Sequence, residues 1–222
     1  MMEDLLPRHV AAVEVFADFA AEQPFPGEEQ FIVRAVEDRR SEFVTARRCA
    51  RTALARLGYA PVALRPGEAR EPQWPDGVVG SITHCAGYRA AAVARSCELA
   101  GIGIDAEPSG PLPPAVLDMV TSRQEQAMLR ALRRIDESTW WDRVLFSAKE
   151  AVYKAWFPLT RRWLAFEGVC LSIDPGTGCF TARLLVDGRR IDGGPPLTEL
   201  CGRFTATSPF ILTAVTIATQ AA

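Results

Sequence analysis

Between positions 28 and 57 the apolar residues Phe31, Val36, Phe43, Ala50, Ala53, Leu54 and Leu57 return at helical spacing, and Gly58 with Pro61 follows as a stop signal. This predicts a helix over most of 28–57. A second stripe, Trp141, Val144, Leu145, Ala148, Val152, Ala155 and Trp156, marks the core face of an amphipathic helix over 138–157 that Pro158 ends. Between these helices, the runs 78–84 and 88–93 flank Cys85-Ala-Gly87 as a hairpin, and 100–107 is expected to join the same sheet. Residues 108–114 read as a linker, and Thr121-Ser122-x-x-Glu125 has the form of a capping box opening a helix to about Arg134. Four β-rich runs follow, 169–173, 180–186, 198–205 and 210–218, separated by Asp174-Pro-Gly, Asp187-Gly and Ser208-Pro. Both halves run helix then strands. The fold class is therefore α+β, with two lobes divided at 1–107 and 108–222 that share an interface and act as one unit.

At 48% hydrophobic and 23% charged residues the chain can bury a substantial core, and a net charge of −2 with no basic tail gives no support for broad nucleic-acid binding. The start Met-Met-Glu-Asp-Leu-Leu-Pro lacks the layout of a signal peptide and no apolar run reaches the ~20 residues of a membrane span, so a cytoplasmic protein without a membrane partner is expected. Six cysteines without a C-x-x-C read as reduced core residues. Two histidines exclude a multi-histidine zinc site, and a hard cation held by carboxylates fits better.

Arginine supplies all but two of the 25 basic residues; the two lysines, Lys149 and Lys154, stand five apart on the second helix. A chain that uses arginine for positive charge keeps lysine where a compact ammonium is needed, and phosphate chemistry is one such place. Glu150 stands beside them. In the strand Gly101-Ile-Gly-Ile-Asp105-Ala-Glu107, alternation places Gly101, Gly103, Asp105 and Glu107 on one face, where two carboxylates can bridge one divalent ion and bare glycine lets a phosphate approach. Taken singly, the acids also fit an exposed edge strand, and Glu150 with Lys154 also fits a surface ion pair at i, i+4. Gly80-Ser81-Ile-Thr-His84 brings a hydroxyl and a histidine to a strand end, and Arg39, Arg40, Arg47, Arg48 and Arg51 crowd the first helix. No G-x-S-x-G, Walker or G-x-G-x-x-G motif is present.

Gly101-Ile-Gly-Ile-Asp-Ala-Glu107 and Phe146-Ser-Ala-Lys-Glu-Ala-Val-Tyr-Lys154 closely resemble the two signatures of the 4′-phosphopantetheinyl transferases, (V/I)G(I/V)D(I/V/A)E and (F/W)xxKEAxxK. The resemblance is to the monomeric, surfactin-type class in its actinobacterial branch, and it extends over about 30–165 through Arg39-Arg40-x-Glu-Phe43, Glu71-Pro-Gln-Trp-Pro-Asp-Gly and Ser81-Ile-Thr-His84. It implies a pseudo-dimer of two similar lobes with coenzyme A in the cleft. It also implies a monomer that transfers the phosphopantetheine arm of coenzyme A, with Mg²⁺ or in its place Mn²⁺, to a serine of an apo acyl or peptidyl carrier protein, releasing adenosine 3′,5′-bisphosphate. By resemblance, Asp105, Glu107 and Glu150 hold the metal, and Glu150, with Glu107 as competitor, takes the serine proton. Lys154 and Lys149 neutralise phosphate oxygens. Arg39, Arg47 and His84 grip the 3′-phosphate and adenine end, and Ser81 contacts the nucleotide. Where relatives carry a lysine before the Glu-Pro-x-Trp stretch this chain has Arg70. The loop Thr160-Arg161-Arg162-Trp163-Leu164 is an expected piece of the carrier-docking surface. A Mg²⁺-dependent pyrophosphohydrolase of coenzyme A or another nucleotide is the alternative the same charges would serve.

Overall fold

A computed structural model describes residues 1–19 and 22–219. Strand β1 (Ala11–Val15) is followed by helix α1 (Glu37–Arg56), the hairpin β2 (Val78–Cys85) and β3 (Tyr88–Arg95), and β4 (Leu99–Pro108). Helices α2 (Pro114–Val120), α3 (Arg123–Ile135) and α4 (Trp141–Thr160) come next, and β5 (Val169–Asp174), β6 (Cys179–Leu184), β7 (Glu199–Thr207) and β8 (Phe210–Ala218) close the chain. The architecture is α+β, with two antiparallel sheets ordered β1-β3-β2 and β4-β8-β7-β6-β5.

The stripe expected on α4 is buried throughout, whereas that expected over 28–57 is buried only from Phe43 to Leu54, with Phe31 and Val36 exposed. Ala50, Ala53 and Leu54 turn α1 onto the first sheet, Phe43 packs with Ile32 and Val44, and Trp141, Val144, Leu145, Ala148, Val152, Ala155 and Trp156 are all buried as α4 covers the second. Ser122 accepts from the Glu125 amide while the Glu125 carboxylate accepts from the Ser122 amide, completing the capping box at the start of α3. Helix α1 begins at Glu37, later than 28, because Val36 is extended at its N-cap and Glu37 and Asp38 then occupy the first turn, where carboxylates suit the helix dipole. Pro158 lies inside the last turn of α4; the helix ends at Arg161, whose left-handed conformation (φ 53°) terminates it.

Strand β4 departs from expectation. Its ladder partner is β8, with Asp105 opposite Thr213, so it is the edge of the five-stranded sheet and not a third strand of the hairpin. Strand β2 still lies alongside it, held by side chains in place of a backbone ladder. Ser81 Oγ accepts from the Ile104 amide at 3.1 Å, and Thr83 Oγ1 accepts from the Ala106 amide at 3.1 Å. Two hydroxyls on alternate positions of β2 thus satisfy the amides that β4 presents to the seam between the sheets.

The glycines of β4 also differ from expectation. A Cβ on Gly103 would lie 1.9 Å from the Ala151 carbonyl oxygen and 2.7 Å from the Ala155 amide nitrogen, both backbone atoms of α4. The bare face of β4 admits a helix, not a phosphate. This approach sets the distance between the acids of β4 and the charges of α4.

Candidate active site

Three elements meet at the seam. Residues Arg143, Ser147, Glu150 and Lys154 follow one another at i, i+4, i+7 and i+11, so they share the face of α4 that looks at β4. Lys154 Nζ donates to Asp105 Oδ1 at 2.7 Å, to the Ile104 carbonyl at 3.0 Å and to Thr83 Oγ1 at 3.4 Å, binding α4, β4 and β2 together. Asp105 is buried, and its other oxygen accepts from Ser147 Oγ at 2.8 Å. Glu107 Oε2 accepts from Arg143 Nη1 at 2.8 Å, and the same guanidinium donates to the carbonyls of Gly110 and Pro111. The i, i+4 ion pair between Glu150 and Lys154 is not formed, because Lys154 reaches Asp105. Among the described residues the Glu150 carboxylate accepts no hydrogen bond, and it faces a cavity of about 200 Å³ shared with Lys154, Ser81 and Tyr153.

The electrostatics of the acids follow from that crowding. Glu150 is pushed above the ordinary glutamate range by burial and then by the charge of Asp105, partly offset by Lys154. Glu107 is raised for the same two reasons, with Arg143 opposing. Like charges in a half-buried site disfavour one another's ionisation, and a divalent cation is their natural complement. All donors are carboxylate oxygens, which suits Mg²⁺ or Mn²⁺ rather than zinc. Among the described residues no three acidic, histidine or cysteine side chains converge closely enough to hold a metal ion as they stand. Lys154 and Ser147 occupy the Asp105 oxygens and Arg143 holds Glu107.

A second cavity of about 400 Å³ adjoins the first through shared walls at Arg70, Pro72 and Ile82, and is lined by Arg39, Arg47 and His84. Arg47 is buried; its Nε donates to the Leu64 carbonyl at 2.8 Å and its guanidinium carbon lies 3.4 Å from the Phe43 ring centre. Burial pulls its pKa down to about 10, which still leaves it cationic at neutral pH. Arg39 Nη1 lies 2.6 Å from His84 Nε2, and burial followed by the Arg39 charge lowers the imidazole to about 4. Arg70 stands exposed on both cavity walls with a left-handed backbone (φ 69°). Ser81 reaches the first cavity wall, but its hydroxyl is committed to Ile104.

Lys149 does not face this site. Its Nζ is buried and donates to Glu125 Oε2 and the carbonyls of Val120 and Phe166 at 2.8 to 3.0 Å, with no opening toward either cavity. Glu125, also buried, accepts from the Leu171 amide as well. The ammonium is a tie between α3, α4 and the start of β5, and the expected phosphate contact is withdrawn. Its position at i+4 from Leu145 and i−3 from Val152, inside the apolar stripe, was the signal for that. The same rule, applied to the opposite face, finds Ser147 and Arg143, which sequence reasoning missed. Trp163 is 75% exposed and leans edge-on against the Tyr153 ring at 5.0 Å, beside the first cavity.

Comparison with known proteins decides the family. The model for the 4′-phosphopantetheinyl transferase N-terminal domain matches residues 27–94, and that of the 4′-phosphopantetheinyl transferase superfamily matches residues 101–192. The chain belongs to the 4′-phosphopantetheinyl transferase family. This transferase is 48% identical to the 4′-phosphopantetheinyl transferase Svp of Streptomyces mobaraensis, over all of this chain and 91% of that protein. It is likewise 48% identical to Npt of Nocardia iowensis, over 98% of this chain and all of the relative, and 46% identical to PptT of Mycobacterium tuberculosis, over 94% and 92%. Among the described residues no helix of the transferase is long and apolar enough to cross a membrane.

Proposed function

We propose that this transferase moves the 4′-phosphopantetheine group of coenzyme A onto a serine of an apo acyl or peptidyl carrier protein, working as a cytoplasmic monomer. The observation that carries the reading is the pair of joined cavities, one walled by Glu150 and Lys154, the other by Arg39, Arg47 and His84. Their shared wall allows one extended ligand to present a phosphate to the arginines and a pyrophosphate to the lysine.

In this reading Asp105, Glu107 and Glu150 would hold Mg²⁺, which would supply charge neutralisation and polarisation of the pyrophosphate. Lys154 stabilises charge that builds on the phosphate oxygens, and its ties to Asp105 and the Ile104 carbonyl hold the ammonium in place before the reaction begins. The serine oxygen bonds to the phosphorus that carries the pantetheine arm as the bond to adenosine 3′,5′-bisphosphate breaks. Glu150 takes the serine proton. It is favoured over Glu107 because it faces the cavity and its basicity is raised, while Glu107 is engaged by Arg143. Arg39 and Arg47, with His84, hold the 3′-phosphate and adenine, and Arg70 closes on them from the loop.

The test is release of adenosine 3′,5′-bisphosphate, followed by chromatography. Release that requires both an apo carrier and Mg²⁺, and that Lys154→Met lowers by about 10²-fold, is the expected result. Release at full rate without carrier would overturn the transferase assignment in favour of a pyrophosphohydrolase.

A further inference from the structure

Behind the second cavity lies a relay of charges that the reaction as described does not use. Glu42, on α1 three residues after Arg39, accepts from Arg39 Nη1 at 3.1 Å through Oε2, and the same oxygen is 3.5 Å from His84 Nδ1. Its other oxygen is 3.7 Å from Arg89 Nη2, on β3. Arg89 is in turn held by both oxygens of Asp18, at 3.0 and 2.7 Å. Lys154 of α4 adds a further positive charge toward the imidazole, and Arg47 and Arg70 stand on the same cavity wall.

The contact between Arg39 and His84 fixes a protonation state. A guanidinium has donors only, so at 2.6 Å the Nε2 atom of His84 must be the acceptor. The ring is then neutral and its proton is on Nδ1, the nitrogen 3.5 Å from Glu42 Oε2. In this state Nε2 offers a phosphate no proton, since its lone pair is already taken by Arg39.

We propose that Glu42 is a positioning residue for the nucleotide end, which holds Arg39 against His84 and stands on the Nδ1 side of the ring, and that a 3′-phosphate entering the cavity brings a proton onto His84 Nε2. The proton comes from solvent. Arg39 leaves Nε2 and turns to the phosphate; Nε2–H then donates to a phosphate oxygen, and Glu42 compensates the imidazolium from behind. The second negative charge of the phosphate and the carboxylate of Glu42 together offset the burial and the charges of Arg39, Lys154 and Arg89 that keep the ring neutral. The consequence is a proton-linked preference for nucleotides that carry the 3′-phosphate over those that lack it.

This rests on the assignment of the second cavity to the 3′-phosphate, and the experiment separates the two. The chain has two histidines, and His9 is exposed, so a His9→Gln variant leaves one ring to follow. Ring ¹⁵N spectra at pH 7 are recorded for the purified protein alone, with adenosine 3′,5′-bisphosphate, and with adenosine 5′-monophosphate. The expected result is a neutral Nδ1–H ring alone and with the monophosphate, and an imidazolium with the bisphosphate. In Glu42→Gln the Arg39 contact keeps the free ring neutral, and affinity for the bisphosphate relative to the monophosphate falls roughly tenfold because the imidazolium loses the carboxylate behind it. A ring that shifts on binding yet stays neutral overturns the proton linkage and leaves the cavity assignment standing. A ring indifferent to a bisphosphate that binds elsewhere overturns both. An unchanged preference for the bisphosphate in Glu42→Gln removes the role given to Glu42.

Discussion

Replacing Gly103 by alanine tests whether catalysis depends on how closely α4 sits on β4. The added methyl would lie 1.9 Å from the Ala151 carbonyl oxygen, so the helix must retreat by about an ångström to reach even 3.0 Å. Because the opposing atoms are helix backbone, no side-chain rotation relieves the clash, and overpacking of this kind costs about 1–3 kcal/mol. The same retreat carries Lys154 and Ser147 away from Asp105, whose contacts at 2.7 and 2.8 Å have little slack. A misplacement of about 1 Å costs on the order of 10²-fold in rate. Gly101→Ala is the control, since its nearest neighbours are at 3.3 Å and need only a slight shift; it is expected to cost less than about 1 kcal/mol and a few-fold in rate. Urea denaturation gives the stability and holo-carrier formation the rate. Equal effects at the two glycines, or a Gly103→Ala protein as active as the parent, would refute the argument.

Lys149→Met leaves the Glu125 carboxylate buried without its cation and is expected to cost about 3–5 kcal/mol in urea denaturation; adding Glu125→Gln should return part of that loss, and no recovery would contradict the buried tie. Glu150 has a folded-state pKa raised by burial and by Asp105, so its ionised form costs stability at neutral pH, and the cost disappears as pH falls through that raised value. Glu150→Gln should therefore raise the metal-free Tm at pH 7 while abolishing transfer, with the two Tm values converging in acid; a lower Tm at pH 7 would contradict the sign. Arg161 is ion-paired with Glu71 and Arg162 with Asp187, so carrier docking is tested with the exposed Trp163 replaced by alanine, which should raise the carrier KM more than the coenzyme A KM. Equal increases would remove the loop from the docking surface.

The sequence made the site legible wherever a local period governs the side chain. Alternation along β4 puts Asp105 and Glu107 on one face, and the apolar stripe of α4 leaves Glu150 and Lys154 on the other side of that helix. What it did not disclose depends on partners distant in sequence. Lys149 adjoins Glu150 in the chain, but one helical step turns it toward Glu125, a residue whose capping role was visible and whose second role was not. Strand β4 follows the hairpin closely enough to suggest one sheet, yet pairs with β8 more than a hundred residues later; nothing local marks that choice. Ser81 showed as a nucleotide contact and Thr83 not at all, because the β4 amides that their hydroxyls satisfy are distant in sequence.

The central claim is that this site passes phosphopantetheine to a protein serine. Intact-protein mass spectrometry of an apo carrier domain, incubated with the transferase, coenzyme A and Mg²⁺ beside Glu150→Gln and metal-free controls, tests it most directly. The account predicts that the carrier gains the mass of one phosphopantetheine and that both controls leave it unmodified. An unmodified carrier accompanied by cleaved coenzyme A would contradict it.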